Sequence, residues 1–253
     1  MSIEPLLLST TSIQTYSAGV HLTSATGFFF ERDNNLFLVT SLHVFRDEKE
    51  GHFPDLIQIE FHVDPDNVTR SVEYSIPLYE NKMSQWIAGS DKSGNIDVAA
   101  IKIDKNALPA YAVYTAFTPD NILGGQETIR IGSSMLIVGF PLGFYDTLHK
   151  LPVVRHAINA SSFAMRFQGY GYFLTDARTH RGSSGAPVVC EDHRSLQKDL
   201  PWILLGVHSA RFDVTGRDVE LDEALGLNCA WFADILLKLT ENRIESDQFP
   251  QKH

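Results

Sequence analysis

Short apolar, β-branched and aromatic runs, cut by turn residues, set the texture of this chain. Val20-His21-Leu22, Gly27-Phe28-Phe29-Phe30 and Leu36-Phe37-Leu38-Val39-Thr40 predict a strand-rich opening, with Asp33-Asn34-Asn35 turning the chain between the last two. Residues 56–63 alternate apolar and polar as a half-buried strand does; residues 71–78 alternate less cleanly, and residues 98–103 predict the next strand. The second half has the same grain at residues 134–139, 151–160, 171–175, 186–190, 203–209 and 225–230. A helical period is clear only over residues 231–239, and its apolar stripe is expected to pack on the second half. The polar residues 241–253 are expected to fray. The pattern predicts an all-β protein of two packed six-stranded β-barrels with a C-terminal α-helix. The expected division is residues 1–105, a connector at 106–127, a second barrel at 128–230, and a helix and tail at 231–253.

Composition narrows the function classes. The 253 residues are 43% hydrophobic, enough for one large β unit or two small lobes with a substantial core. A net charge of −10, dispersed along the chain, argues against nucleic acid and anionic membrane as partners. There are only two cysteines, Cys190 and Cys229, and no framework of pairs, which points to a reducing compartment. Pairing between these two stays open. The start, Met1-Ser2-Ile3-Glu4-Pro5, lacks the basic and apolar regions of a secretion signal, and no stretch approaches the ~18–20 apolar residues of a membrane span. The expectation is a soluble cytoplasmic protein.

Three segments carry chemistry. In Gly182-Ser183-Ser184-Gly185-Ala186-Pro187 the glycines permit a sharp turn that exposes the Ser184 hydroxyl. The backbone N–H groups of Gly182 and Ser184 would then form an oxyanion hole. His43 closes the run Leu38-Val39-Thr40-Ser41-Leu42, where a side chain can leave the core, and is the expected general base. Asp97 stands before Val98-Ala99-Ala100-Ile101, at the expected mouth of a buried strand, and would orient the imidazole. Asp91, its nearest competitor, lacks an apolar strand directly after it. The chain order His, Asp, Ser is that of the chymotrypsin-type arrangement and not of the α/β-hydrolases or subtilisins. The acidic residues Asp47, Glu48, Glu50, Asp64 and Asp66, with His52 or His62, match no metal-ligand spacing. Gly124-Gly125 is followed by Gln126-Glu127-Thr128, so it is no phosphate loop. Neither metal nor organic cofactor is expected.

These segments, with Thr26-Gly27-Phe28, Val138-Gly139-Phe140-Pro141 and Gly206-Val207-His208-Ser209, resemble the trypsin-like serine peptidases in their compact bacterial style, HtrA-like and glutamyl-endopeptidase groups included. The likeness spans roughly residues 15–240 and implies hydrolysis of protein or peptide substrates. It implies that Ser209 bonds the catalytic aspartate, and that Arg178, Thr179, His180 and His208 line the primary specificity pocket. A histidine like His208 with a hydroxyl like Thr179 accompanies selectivity for glutamate or glutamine, although His208 as a plain buried strand histidine is the equal alternative. Arg181 and Arg211 stand where smaller residues often line the groove. Ser183 stands where digestive relatives keep an activating aspartate, so that mode of activation is not expected. The rival reading is a latent effector opened by an activating protein partner, which a flipped Arg181–Gly182 peptide would favour.

Overall fold

The computed structural model describes residues 3–124, 129–193, 199–211 and 226–241. A helical turn, α1 (Pro5–Leu8), leads into β1 (Thr10–Ser17), β2 (Val20–Arg32) and β3 (Asn35–Thr40), and a second turn, α2 (Leu42–Phe45), follows. The first lobe continues through β4 (Leu56–His62), β5 (Ser71–Pro77), the short pair β6 (Tyr79–Glu80) and β7 (Met83–Ser84), β8 (Trp86–Asp91) and β9 (Gly94–Ile103). The second comprises β10 (Ser134–Gly139), β11 (Val153–Asn159), β12 (Tyr172–Asp176), β13 (Pro187–Glu191), β14 (Trp202–Arg211) and β15 (Leu227–Phe232), and α3 (Ile235–Leu239) follows.

The second lobe is a closed six-stranded barrel, β10-β11-β12-β15-β14-β13, as the pattern predicts. The first is a seven-stranded antiparallel sheet ordered β5-β4-β1-β2-β3-β9-β8, which corrects the expected six. The pattern hid β1 because three of its four buried positions are threonines beside Ile13. Thr10, Thr11 and Thr15 are buried, and the Thr11 hydroxyl donates to the Glu60 carbonyl at 3.1 Å. A buried hydroxyl with a backbone acceptor sits in a core at little cost, yet reads as polar in sequence.

Strand alternation divides the apolar residues among three cores. In β3, Leu36 and Leu38 enter the first lobe's interior with Phe45, Trp86 and Ile101, while Phe37 and Val39 face the other way. There they meet Val207, Tyr172 and Trp231 of the second lobe in a core that fills the seam. A strand covered on both faces reads as a continuous apolar run, which is what residues 36–39 show. The barrel interior holds Ile137, Phe173, Val188 and Leu205.

The C-terminal helix differs from expectation. Trp231 and Phe232 complete β15, so α3 begins only at Ile235, past the barrel's edge. It packs on the first lobe: a Cβ at Gly89 in β8 would lie 3.4 Å from Leu239 and 3.5 Å from Ile235. Arg32 in β2 donates to the Leu237 carbonyl. Leu236 and Leu239 are buried in the seam core, so the helix closes the junction between lobes.

Candidate active site

His43 reaches the seam because α2 is a single turn anchored by buried neighbours. Val44 and Phe45 sink into the first lobe, which leaves the His43 side chain 31% exposed at its rim. Asp97 lies within β9 rather than before it, a correction to the sequence reading. The β8–β9 hairpin pairs Asp91 with Gly94 and Ser90 with Asn95, which draws the residues preceding Asp97 into the ladder.

The Asp97 carboxylate holds His43 at two points. The His43 backbone N–H donates to Oδ1 at 2.9 Å, and Nδ1–H donates to Oδ2 at 2.7 Å. The Ser209 hydroxyl, from β14 of the other lobe, donates to Oδ2 as well. A ring whose Nδ1 carries the proton turns the Nε2 lone pair outward. Burial pulls the His43 pKa down, but the hydrogen bond and charge of Asp97, with a smaller effect of Asp47, outweigh it, so the pKa stands above 6.5.

The Ser184 turn depends on glycine at both ends. His180 C=O accepts the Ser183 N–H at 3.1 Å, and Gly182 has φ +91°, the positive value that a type II turn demands at its third residue. A Cβ at Gly182 would lie 2.5 Å from the Phe140 carbonyl, and one at Gly185, with φ +84°, would lie 2.1 Å from Thr40 Oγ1. The Arg181 carbonyl accepts from the Leu142 N–H at 2.6 Å. In a trans peptide C=O and N–H point opposite ways, so the Gly182 N–H is turned from that contact. Among the described residues neither the Gly182 nor the Ser184 N–H donates a hydrogen bond.

Ser184 is half-buried, and the structure seats it against both lobes: its carbonyl accepts the Thr26 N–H at 3.0 Å, and the Gly185 N–H donates to the His208 carbonyl at 2.7 Å. No hydrogen bond joins Ser184 to His43 among the described residues.

The expected pocket residues divide. Thr179 and His208 are buried, His180 is half-buried, Arg178 and Arg181 are exposed, and the Arg211 side chain lies outside the described residues. His208 pairs with Ala230 across β14 and β15, and Asn228, two residues along β15, shares that face. Burial drives the His208 pKa down to about 4, with the nearby His43 charge adding to it, and its Nδ1 has no hydrogen-bond partner among the described residues. Asn228 is the residue the sequence reading passed over. Its Nδ2 donates to the carbonyls of Ala177 at 2.7 Å and Gly226 at 2.9 Å, and its Oδ1 accepts from the Thr179 hydroxyl. The signal available was an amide inside an otherwise apolar strand. Cys190 and Cys229 are both free thiols, and burial, with the charge of Asp97, pushes Cys229 up to about 12.

Two antiparallel lobes with His43 and Asp97 on one and Ser184 on the other define a chymotrypsin-like fold. Comparison with known families goes a step further: residues 25–196 match the trypsin-like peptidase domain, and the chain belongs to that family. Among solved structures it is similar in fold to the serine endoprotease from Yersinia pestis, with 19% identity and a TM-score of 0.54 over 93% of this chain. The match covers 62% of the Yersinia chain, so this chain spans about three fifths of that length. Comparison with curated proteins gave no match. Among the described residues, no helix is long and apolar enough to cross a membrane.

Proposed function

We propose that the protein is a serine endopeptidase in which Ser184 is the nucleophile, His43 the base and Asp97 the residue that orients it. The observation that carries this reading is the two-point hold of Asp97 on His43, beside a serine turn whose two N–H groups lack acceptors among the described residues. Ser184 Oγ attacks the substrate carbonyl as His43 Nε2 takes its proton, and the two N–H groups receive the developing oxyanion. The imidazolium returns the proton to the leaving amine, and water then hydrolyses the acyl-enzyme by the same route. Every step uses side chains and backbone of this chain.

The reading extends to glutamate or glutamine before the scissile bond, and proton counting at the pocket favours glutamine. Asn228 spends both Nδ2 protons on carbonyls, so its oxygen faces Thr179 and the Thr179 proton is committed to it. The Thr179 oxygen has only lone pairs left to offer. His208, neutral above about pH 4, supplies one ring N–H. A donor beside an acceptor suits a carboxamide, which carries both, better than a carboxylate, which only accepts.

The second reading, a latent effector awaiting an activating protein partner, finds less support. The Arg181 carbonyl is engaged by Leu142, an orientation that keeps the Gly182 N–H available. A reducing, cytoplasmic setting fits the two free thiols and belongs to the same proposal. The test is digestion of a diverse peptide library beside Ser184→Ala, read by mass spectrometry. Cuts by the wild type alone, clustered after Gln, support the whole reading. Cuts after unrelated residues leave the peptidase and remove the pocket argument, and no cuts at all favour the latent effector.

A further inference from the structure

Thr26 lies in β2 of the first lobe, yet its polar groups are spent on the second lobe's nucleophile turn. Its hydroxyl donates to the Gly182 carbonyl at 2.7 Å and accepts from the Phe140 N–H at 3.1 Å. Its backbone N–H donates to the Ser184 carbonyl at 3.0 Å, and its own carbonyl accepts from the Thr40 hydroxyl at 2.8 Å. The side chain is fully buried, so water does not stand in for any of these partners.

The four consecutive carbonyls of the turn are all engaged. Arg181 accepts from Leu142 and Ser183 from Ala186, while Gly182 and Ser184 both accept from Thr26. Fixing a carbonyl fixes its peptide plane, and with it the direction of the next N–H. Thr26 therefore controls the planes on either side of the Ser183–Ser184 peptide. Glycines make the approach possible: a Cβ at Gly139 would stand 2.7 Å from Thr26 Oγ1, and one at Gly185 would stand 2.2 Å from the Thr26 carbonyl.

We propose that Thr26 is a positioning residue: by holding the two peptide planes that flank the Ser183–Ser184 peptide, it couples the docking of the two lobes to the shape of the oxyanion hole. The proposal rests on the reading of Ser184 as nucleophile. It touches neither substrate nor reacting atoms, and acts through the Gly182 and Ser184 carbonyls.

The test is the rate at which a fluorophosphonate labels Ser184, a reaction in which Oγ bonds phosphorus, fluoride leaves and His43 takes the proton. Wild type, Thr26→Val and Thr26→Ser are compared at matched circular dichroism and Tm, together with kcat and KM on a cleaved peptide. Thr26→Val keeps the shape and removes the hydroxyl, and we expect labelling and kcat to fall at least tenfold with KM within about twofold. Thr26→Ser keeps the hydroxyl and is expected within about threefold of wild type. Labelling of a folded Thr26→Val at the wild-type rate, or of Thr26→Ser as slowly as Thr26→Val, overturns the proposal. Should Thr26→Val fail to fold, Thr26→Ala removes the same hydroxyl without filling its space, and the wild-type rate in that variant is equally decisive. A wild type that takes no label overturns the reading of the site itself and the proposal with it.

Discussion

Two histidines flank the seam, His43 half-buried and His208 buried, and they behave in opposite ways. His43 has a carboxylate at 2.7 Å and a pKa above 6.5. His208, in the β14 wall, has among the described residues no carboxylate bonded to it and no partner for Nδ1, and its pKa is about 4. Burial acts downward on both rings, and in each it is the largest single influence. What differs is the neighbour. A desolvated imidazole with a fixed anion becomes a base suited to neutral pH; one without it remains a neutral hydrogen-bonding group across the same range.

Asp97→Asn breaks the comparison hardest, because it makes His43 resemble His208. We expect kcat to fall by about 10³–10⁴, since the amide no longer fixes the productive tautomer or stabilises the imidazolium. The acid limb of the residual kcat/KM profile should also move to lower pH, as burial is then opposed only by the smaller effect of Asp47. Steady-state kinetics from pH 4 to 9 measure both. An unmoved limb would detach His43 from Asp97.

On the pocket side, Thr179→Val removes the acceptor that the Asn228 amide creates. We expect kcat/KM on glutamine peptides to fall about 10–100-fold and the preference for glutamine over glutamate to shrink. Paired peptides differing only at that residue read the ratio directly.

Stability against pH sharpens the contrast. Below pH 6.5 the unfolded chain protonates residue 208 while the fold refuses that proton until about pH 4, so His208 costs stability as pH falls through this window. The loss is on the order of 2–3 kcal/mol by pH 4. His43 has the opposite sign: its contribution is full below 6.5 and is lost as pH rises through its own higher pKa. Denaturant melts of His208→Gln at pH 7 and pH 4.5 should show a flatter acid decline than wild type. The smallest expected effect is in the wild-type rate profile, whose acid limb should lie somewhat above pH 6.5.

The sequence carried the residues that chemistry marks and missed those that act by geometry. His43, Asp97 and Ser184 stood out because each sits beside an apolar run or between glycines, where a polar side chain needs a reason. The Asp33-Asn34 turn was equally visible, and both residues take positive φ, 49° and 62°, as a two-residue hairpin requires. Thr26 and Asn228 were not legible as functional. Their importance lies in which carbonyl they face across the seam or the barrel, and no local pattern encodes that. The strand β1 escaped for a related reason, its buried threonines being satisfied by distant backbone. The helix was visible, but its start at Ile235 rather than Trp231 and its docking surface on the first lobe depended on where β15 ends.

The bond from Thr26 to Gly182 joins positions 156 residues apart in the chain. Contacts of such separation form late, after the local hairpins of each lobe, and synthesis delivers the first lobe well before the turn that it completes. A half-made chain thus lacks the seated Ser184 turn even when its individual strands have begun to pair. On the proposed reading, a newborn chain of this design stays silent among the other unfolded polypeptides around it until its second lobe has docked.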